Sequence, residues 1–459
     1  MKTTKIDGPI NTEPIDYSKF PQIDKEEYAE RIQRLLDLAS NQSIKKIIVY
    51  ADREHFSNME YLCGYDSRFE EALLLLEKSK LPQIIVALEG EDYSKIIPFE
   101  IKRHVYTGFG LQGQPSNNAT LSNLLKICGL EKDDSIGLIG WKVYNQAEFP
   151  QGAIDIPYYI VHEIEKIVGI GNIAYITNLM TNNDYGLRSV LSENEIIQAE
   201  IANAEASRQV YDAICNIRTG MSEYEASLLF KLGGMPMNTY PTMNFGKQNV
   251  AMGLRSVDYT RNLKKGDIVS VGIGYRRAMI HRCAFFVKDE TDLTETAGLK
   301  VIEFYQKYFA LIKKWYENIA IGKTGGDVYS AITEEFNIHD MGIKLNMGHL
   351  IHTDEWMNSI FFENSEYTIK SGMAIQCDII AGMQEPFASA HVEDGIIVAD
   401  KGLQGRISKI APESFDRILR RKQFMQNVLH INISDEVMPL SDIQGMLFLF
   451  MRDASVVLI

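Results

Sequence analysis

Positive charge is in short supply. The chain of 459 residues carries 47 Lys and Arg against 61 Asp and Glu, a formal charge of −14 at neutral pH. A surface that tracks nucleic-acid phosphates needs the opposite balance, so no nucleic-acid partner is expected. Cysteine is scarce as well. Cys63, Cys128, Cys215, Cys283 and Cys377 are scattered, odd in number and free of CxxC spacing. That pattern argues against a disulfide framework and suits reduced thiols in a cytoplasmic setting. Long apolar runs are missing too. The nearest, GMLFLFM close to the C-terminus, is strand-sized, and the opening MKTTKIDGPINTEPIDYSKFPQID has no apolar core flanked by basic residues. Neither a membrane span nor a signal peptide is expected, and the expectation is a cytoplasmic protein with no membrane partner.

What is present is ordinary globular material, 45% hydrophobic and 24% charged. The length exceeds what one hydrophobic core supports, so at least two domains are expected. Residues 25–40 have helical periodicity, with Tyr28, Ile32, Leu35 and Leu36 on one face. KKIIVYAD, QIIVALEG and SIGLIGW read as short buried strands, with the helix-like SNLLKICGL ahead of the last. This alternation predicts an α/β domain with a largely parallel or mixed sheet. It ends near the polar stretch TNNDYGLRSV. A long helix then opens at Ser192, with Glu195 three residues later as a capping box, and a second capped helix begins at Ser222. Strands at 268–273, 282–287, 373–381 and 391–398 and helices near 294–318 and 326–336 follow, an α+β pattern rich in hairpins. The expected division is 1–185 and 186–459. Past the last of these strands the chain runs on for about sixty residues, including the basic SFDRILRRKQF and the apolar GMLFLFMRDASVVLI. The first reads as a solvated helix or a partner contact, the second as a strand packed on the body.

Several segments carry a resemblance in the right order. IIVYADREHFSNMEYLCGYDSRFE contains an N-x-x-Y-L-x-G-x-D-x-R-x-E pattern, and IRTGMSEYE, KKGDIV and VEDGIIVAD follow it, with LRSVLSENEIIQAEIANA joining the halves. Together they resemble the creatinase / aminopeptidase P / prolidase family over nearly the whole chain. The resemblance implies a creatinase-like N-terminal domain followed by a pita-bread domain.

It also implies where chemistry sits. Active members hold two divalent metals with two hairpin aspartates, a histidine and two glutamates, a set suited to Mn²⁺, Co²⁺ or Zn²⁺. Carried onto this chain, the aspartates fall on Gly272 and, eleven residues on, Cys283; between Asp267 and Lys288 there is no Asp or Glu at all. The histidine falls on His349, and the glutamates fall on Asp378 and Glu393. The substrate-contacting histidines fall on Leu254 and Trp356. Gly272 has no ligand atom, so a dinuclear site is not expected. Cys283, His349, Asp378 and Glu393 form a mixed set for a single Zn, Mn or Fe ion. The alternative is no metal, with Cys283 a small core residue and the carboxylates paired to a base such as Arg282. Cys283 also has His281 two residues away on the same strand face, which leaves a nucleophilic Cys–His pair open.

The catalytic candidates are His349, Glu393, Asp378 and His352, the last three residues after His349. His391 stands where many relatives have Arg and is expected to orient Glu393. Two functions stay open. One is a hydrolase of the Xaa-Pro peptidase or creatinase type, mononuclear or metal-free, cleaving a C–N bond in a small peptide or amidine-type substrate. The other is a catalytically inactive pita-bread protein that binds a peptide or small molecule. The resemblance also makes a homodimer the default.

Overall fold

The first residues of the chain pair with the last. In the computed structural model, which describes residues 2–144, 148–150 and 152–459, β1 (Thr3–Lys5) lies antiparallel to a strand at Val456–Leu458. Ile6 and Ile10 donate their amides to Ser455 and Asp442. The chain divides into two compact units, Gln22–Ser189 and a second made of Met1–Pro21 with Val190–Ile459. The expected boundary at 1–185 is therefore corrected at its start. A short strand has to find backbone partners, and those of β1 belong to the C-terminal unit.

The unit Gln22–Ser189 holds a six-stranded sheet of β2 (Lys46–Ala51), β3 (Ala72–Glu77), β4 (Gln83–Val86), β5 (Lys102–Val105), β6 (Ile136–Ile139) and β7 (Ile173–Tyr175), in the order β5-β4-β3-β2-β6-β7. The pairs β2/β6, β6/β7 and β4/β5 are parallel and the rest antiparallel, so the sheet is mixed. Alternate residues face two separate cores, as the period of two demands. Ile47, Val49, Leu74 and Leu76 pack with Ile32, Leu35 and Leu36 of the helix Lys25–Ser40. Ile48, Tyr50, Leu73 and Leu75 pack with the helices Leu121–Ile127 and Tyr158–Val168. Both faces are covered, which is why these strands read as continuous apolar runs.

The second unit opens with the helix Glu193–Asn216, and both bonds of the Ser192/Glu195 capping box are formed. Its strands are β8 (Met237–Phe245), β9 (Ile268–Tyr275), β10 (Ala278–Phe285), β11 (His349–Leu350), β12 (Ala374–Met383), β13 (Ala388–Val398), β14 (Val437–Pro439) and β15 (Val456–Leu458). The main sheet runs β11-β12-β13-β10-β9-β8, with β14 on β13, and every pairing is antiparallel. The hairpin β9–β10 turns through Arg276 and Arg277, the latter at φ +68°. The helix Leu299–Asn318 backs the sheet. Its Tyr308 hydroxyl donates to the Ile379 carbonyl (2.8 Å) and accepts from the Val392 amide (2.7 Å), clamping β12 to β13.

Two expectations for the C-terminus are corrected. The basic helix is Pro412–Asn427, and Arg417 and Arg421 are buried rather than solvated. Arg421 meets Glu200 and Asp442 at 2.7 Å each, and Arg417 donates to Glu200 at 2.9 Å. Charge periodicity does not show whether a buried counter-charge awaits. The apolar segment 445–451 is buried as expected, but strand structure is confined to Val456–Leu458. The segment is tied instead by single bonds such as Met451 amide to Phe285 carbonyl.

Candidate metal centre

Strand register lines up one row of side chains. Gly272 on β9 faces His281 on β10, His281 faces Glu393 on β13, and Glu393 faces Asp378 on β12. Directly opposed residues share a sheet face, as do residues two apart on a strand. Ser270, Cys283 and His391 therefore lie on this face too. His349 joins from β11, where its partner is Gln376, two residues before Asp378. Gly348 makes that approach possible: at φ +106° a Cβ there would sit 2.6 Å from the Gln376 carbonyl oxygen. Trp315 Nε1 donates to the Met347 carbonyl at 2.6 Å and fixes the same loop.

The row converges on His349. Its Nε2 is 3.7 Å from Asp378 Oδ2 and 3.9 Å from Glu393 Oε1, and Glu355 Oε1 comes to 3.3 Å. Ligand atoms of His349, Asp378 and Glu393 all lie within 4.8 Å of one another. His349 Nδ1 is 3.2 Å from the Leu350 carbonyl, an oxygen that only accepts, so Nδ1 carries the proton. Nε2 then faces the cluster, with Glu355 beside it. His349 Nε2 and Glu393 Oε1 are both buried, and Glu355 is the neighbour that both side chains share. On the other side, His391 Nε2 lies 2.7 Å from Asp378 Oδ1 and 3.6 Å from Glu393 Oε2. Each carboxylate thus turns one oxygen to His391 and the other to His349.

The titration of these groups follows from their surroundings. Burial, then the charges of Asp378 and Glu355, push Glu393 well above the usual carboxyl range. Burial also pushes Asp378 upward, but the His391 hydrogen bond and the charges of His391 and His349 more than offset it and hold Asp378 low. Burial disfavours the charged form of His349, and Glu355 and Asp378 outweigh it, raising the imidazole. His281 is driven well below its usual value by burial, then by His391 and Arg282. It is a neutral ring, 4.2 Å from His391 centroid to centroid, with Nε2 3.0 Å from Ser270 Oγ.

One imidazole nitrogen and two buried carboxylates converging on one point are a donor set suited to a divalent cation. Of the four residues expected to hold it, the structure brings together His349, Asp378 and Glu393 and leaves out Cys283. The thiol sits in the apolar core, and burial pushes it up to about 12, so it stays protonated. The His281 ring is engaged with Ser270 rather than with the Cys283 thiol. His352 is corrected as well. His349 is on a strand rather than a helical turn, and His352 Nε2 lies 3.3 Å from Glu195 at the start of the long helix. Arg282 points to the opposite face and pairs with Asp394 through two bonds of 2.9 and 2.7 Å, so it does not neutralise the cluster. His391 orients a carboxylate as expected, though its short bond goes to Asp378 rather than Glu393.

Glu355 is the residue that sequence reasoning missed. It follows His349 in an irregular loop with no periodicity to place it, and the only hint is an acid beside Trp356. That Trp ring packs 5.5 Å from the His349 ring and is half exposed. Leu254 is 71% exposed and adds no polar contact here. The expected hairpin aspartate has lost its place to a ring: a Cβ on Gly272 would lie 2.4 Å from His281 Cδ2.

An α/β unit thus precedes a unit built on an antiparallel sheet of the pita-bread kind, which carries the histidine–carboxylate cluster. Residues 198–400 match the model of metallopeptidase family M24. The match lies within the second unit. Solved structures agree on the fold. An Xaa-Pro dipeptidase from Bacillus anthracis superposes with a TM-score of 0.61 at 15% identity, over 81% of this chain and 95% of that one. A prolidase from Pyrococcus horikoshii gives 0.62 at 16% identity over 81% and 95%. An X-Pro aminopeptidase from Thermotoga maritima gives 0.60 at 15% identity over 81% and 95%. No curated protein sequence matches the chain. No helix among the described residues is long and apolar enough to cross a membrane.

Proposed function

We propose that the protein is a hydrolase of the Xaa-Pro peptidase or creatinase type that uses one divalent ion, held by His349, Asp378 and Glu393, to cleave a C–N bond in a small peptide or amidine-type substrate. The supporting observation is the convergence of one imidazole nitrogen and two buried carboxylates, His349, Asp378 and Glu393, within 4.8 Å of one another. A bound ion supplies Lewis acidity at that point. The protein does the rest. His391 holds Asp378 through the 2.7 Å bond, and the Leu350 carbonyl fixes the His349 tautomer. Glu355, next to His349 and only partly buried, is placed to take a proton from attacking water and return it to the leaving nitrogen. Trp356 shields one side of the His349 ring. A single ion is favoured over two because Gly272 offers no ligand and His281 and His391 fill the flank of the carboxylate pair.

The second reading is a catalytically inactive pita-bread protein that binds a peptide or small molecule. Gly272 and Cys283 favour it, since both hairpin carboxylates are replaced. Activity on Xaa-Pro dipeptides and a creatine-like panel, with added Mn²⁺ or Co²⁺, separates the two. Turnover that is lost in Glu355→Gln supports the hydrolase. Silence across the panel with metal bound supports the binding protein.

A further inference from the structure

Three of the side chains at the metal centre are held by strand ladders, and a fourth is not. His349, Asp378 and Glu393 stand on β11, β12 and β13, whose backbones are paired across the sheet. Glu355 reaches the same point from the irregular segment after β11. It is also the outermost of the four. Its side chain is 24% exposed, against 0% for His349, 11% for Asp378 and 4% for Glu393. The Glu355 carboxyl is hydrogen-bonded to both His349 and Glu393. His349 is its ion partner, and no Arg or Lys joins it among the described residues.

Two carboxyl groups in hydrogen-bond contact repel when both are ionised, so a proton or a cation must lie between them. The spacing suits a cation. Neighbouring donors on one tetrahedral ion stand about 3.3–3.6 Å apart. Glu355 Oε1 lies 3.3 Å from His349 Nε2, within that spacing, and Asp378 Oδ2 and Glu393 Oε1 lie just beyond it at 3.7 and 3.9 Å. Three donors leave one tetrahedral position open, and a fourth closes it. Strand ladders fix the first three, whereas a partly exposed loop residue is free to withdraw and return.

We propose that Glu355 is a displaceable fourth ligand. With no substrate bound it closes the donor set of His349, Asp378 and Glu393. When substrate enters, Glu355 gives up that position and becomes free to move protons. This role rests on the single-ion reading above, and adds to it a resting state closed by the residue that then serves as the base.

Two binding measurements on the full chain test it: Zn²⁺ affinity by competition with a chromogenic chelator, and acetohydroxamate binding to the Zn-loaded protein. Glu355→Gln keeps the shape of the side chain and should weaken Zn²⁺ binding at least about tenfold. Trp356→Ala, on the same loop, should leave Zn²⁺ affinity within about twofold. Acetohydroxamate needs the position that Glu355 holds, so it should bind loaded Glu355→Gln severalfold tighter than the loaded wild type. Unchanged Zn²⁺ affinity in Glu355→Gln would mean a proton shared with Glu393 in place of a ligand bond, and overturns the assignment. An equal loss in Trp356→Ala, or equal acetohydroxamate binding, overturns it as well. A wild type that binds no Zn²⁺ overturns instead the single-ion reading beneath it.

Discussion

Glu393 and Asp394 are neighbours on one strand and live in opposite worlds. Asp394 faces the side where Arg282 meets it with two bonds and where the Gly445 amide adds a third at 2.8 Å. Glu393 faces the side where its neighbours are two acids and two histidines, with no arginine or lysine among them. The same contrast holds between larger clusters. Around Glu200 and Asp442, three arginines balance two acids: Arg417 and Arg421 on Glu200, Arg421 and Arg208 on Asp442. Around His349, carboxylates outnumber anything that could neutralise them. Buried acids with matched cations complete a fold, and buried acids without them are waiting for one.

The largest effect should come from unbalancing the matched side. Arg421→Met leaves Glu200 and Asp442 buried with reduced compensation and should cost about 3–5 kcal/mol in denaturant unfolding. Arg282→Met should cost a similar amount through Asp394. Next comes Gly272→Ala, whose Cβ would press on His281 Cδ2 at 2.4 Å and on the Ile280 carbonyl oxygen at 2.9 Å. That overpacking should cost about 1–3 kcal/mol. Part of it should return when His281→Ala is added, which a double-mutant cycle reads directly. By contrast, Glu393→Gln in chelator-treated protein should change stability by less than about 1 kcal/mol or raise it, because it removes an uncompensated acid.

The matched side should also carry an acid signature. Asp442 is pushed up by burial but held below its ordinary 3.8 by Arg421 and Arg208. A carboxyl with a depressed folded pKa stabilises the fold fully above its unfolded value and loses that stabilisation as pH falls through the folded value. Below pH 3.8 the wild type should therefore lose stability more steeply than Asp442→Asn. Equal slopes would remove the ion-pair account of this cluster.

The sequence made some of this contrast legible and hid the rest. The hairpin register and the positions of Asp378 and Glu393 were readable because short motifs anchor them on strands, where spacing converts directly into face, whereas His349 was placed by the family resemblance alone. That Cys283 stands apart from the clustered ligand atoms was not readable, because spacing says which face a side chain takes, not how apolar its neighbours are. Glu355 was invisible because loops have no period. The burial of Arg417 and Arg421 was hidden because their partners, Glu200 and Asp442, lie far away in sequence. His281 was noticed for its nearness to Cys283, whereas its structural meaning comes from Gly272 across the hairpin. A glycine and a ring exchanged across two strands can be seen only once the strands are paired.

Elemental analysis of protein purified without chelator tests the metal centre most directly, alongside His349→Ala and Cys283→Ala. The account predicts about one Zn, Mn or Fe per chain in the wild type, loss in His349→Ala and retention in Cys283→Ala. A wild type with no metal, or one that loses its ion in Cys283→Ala, would contradict it.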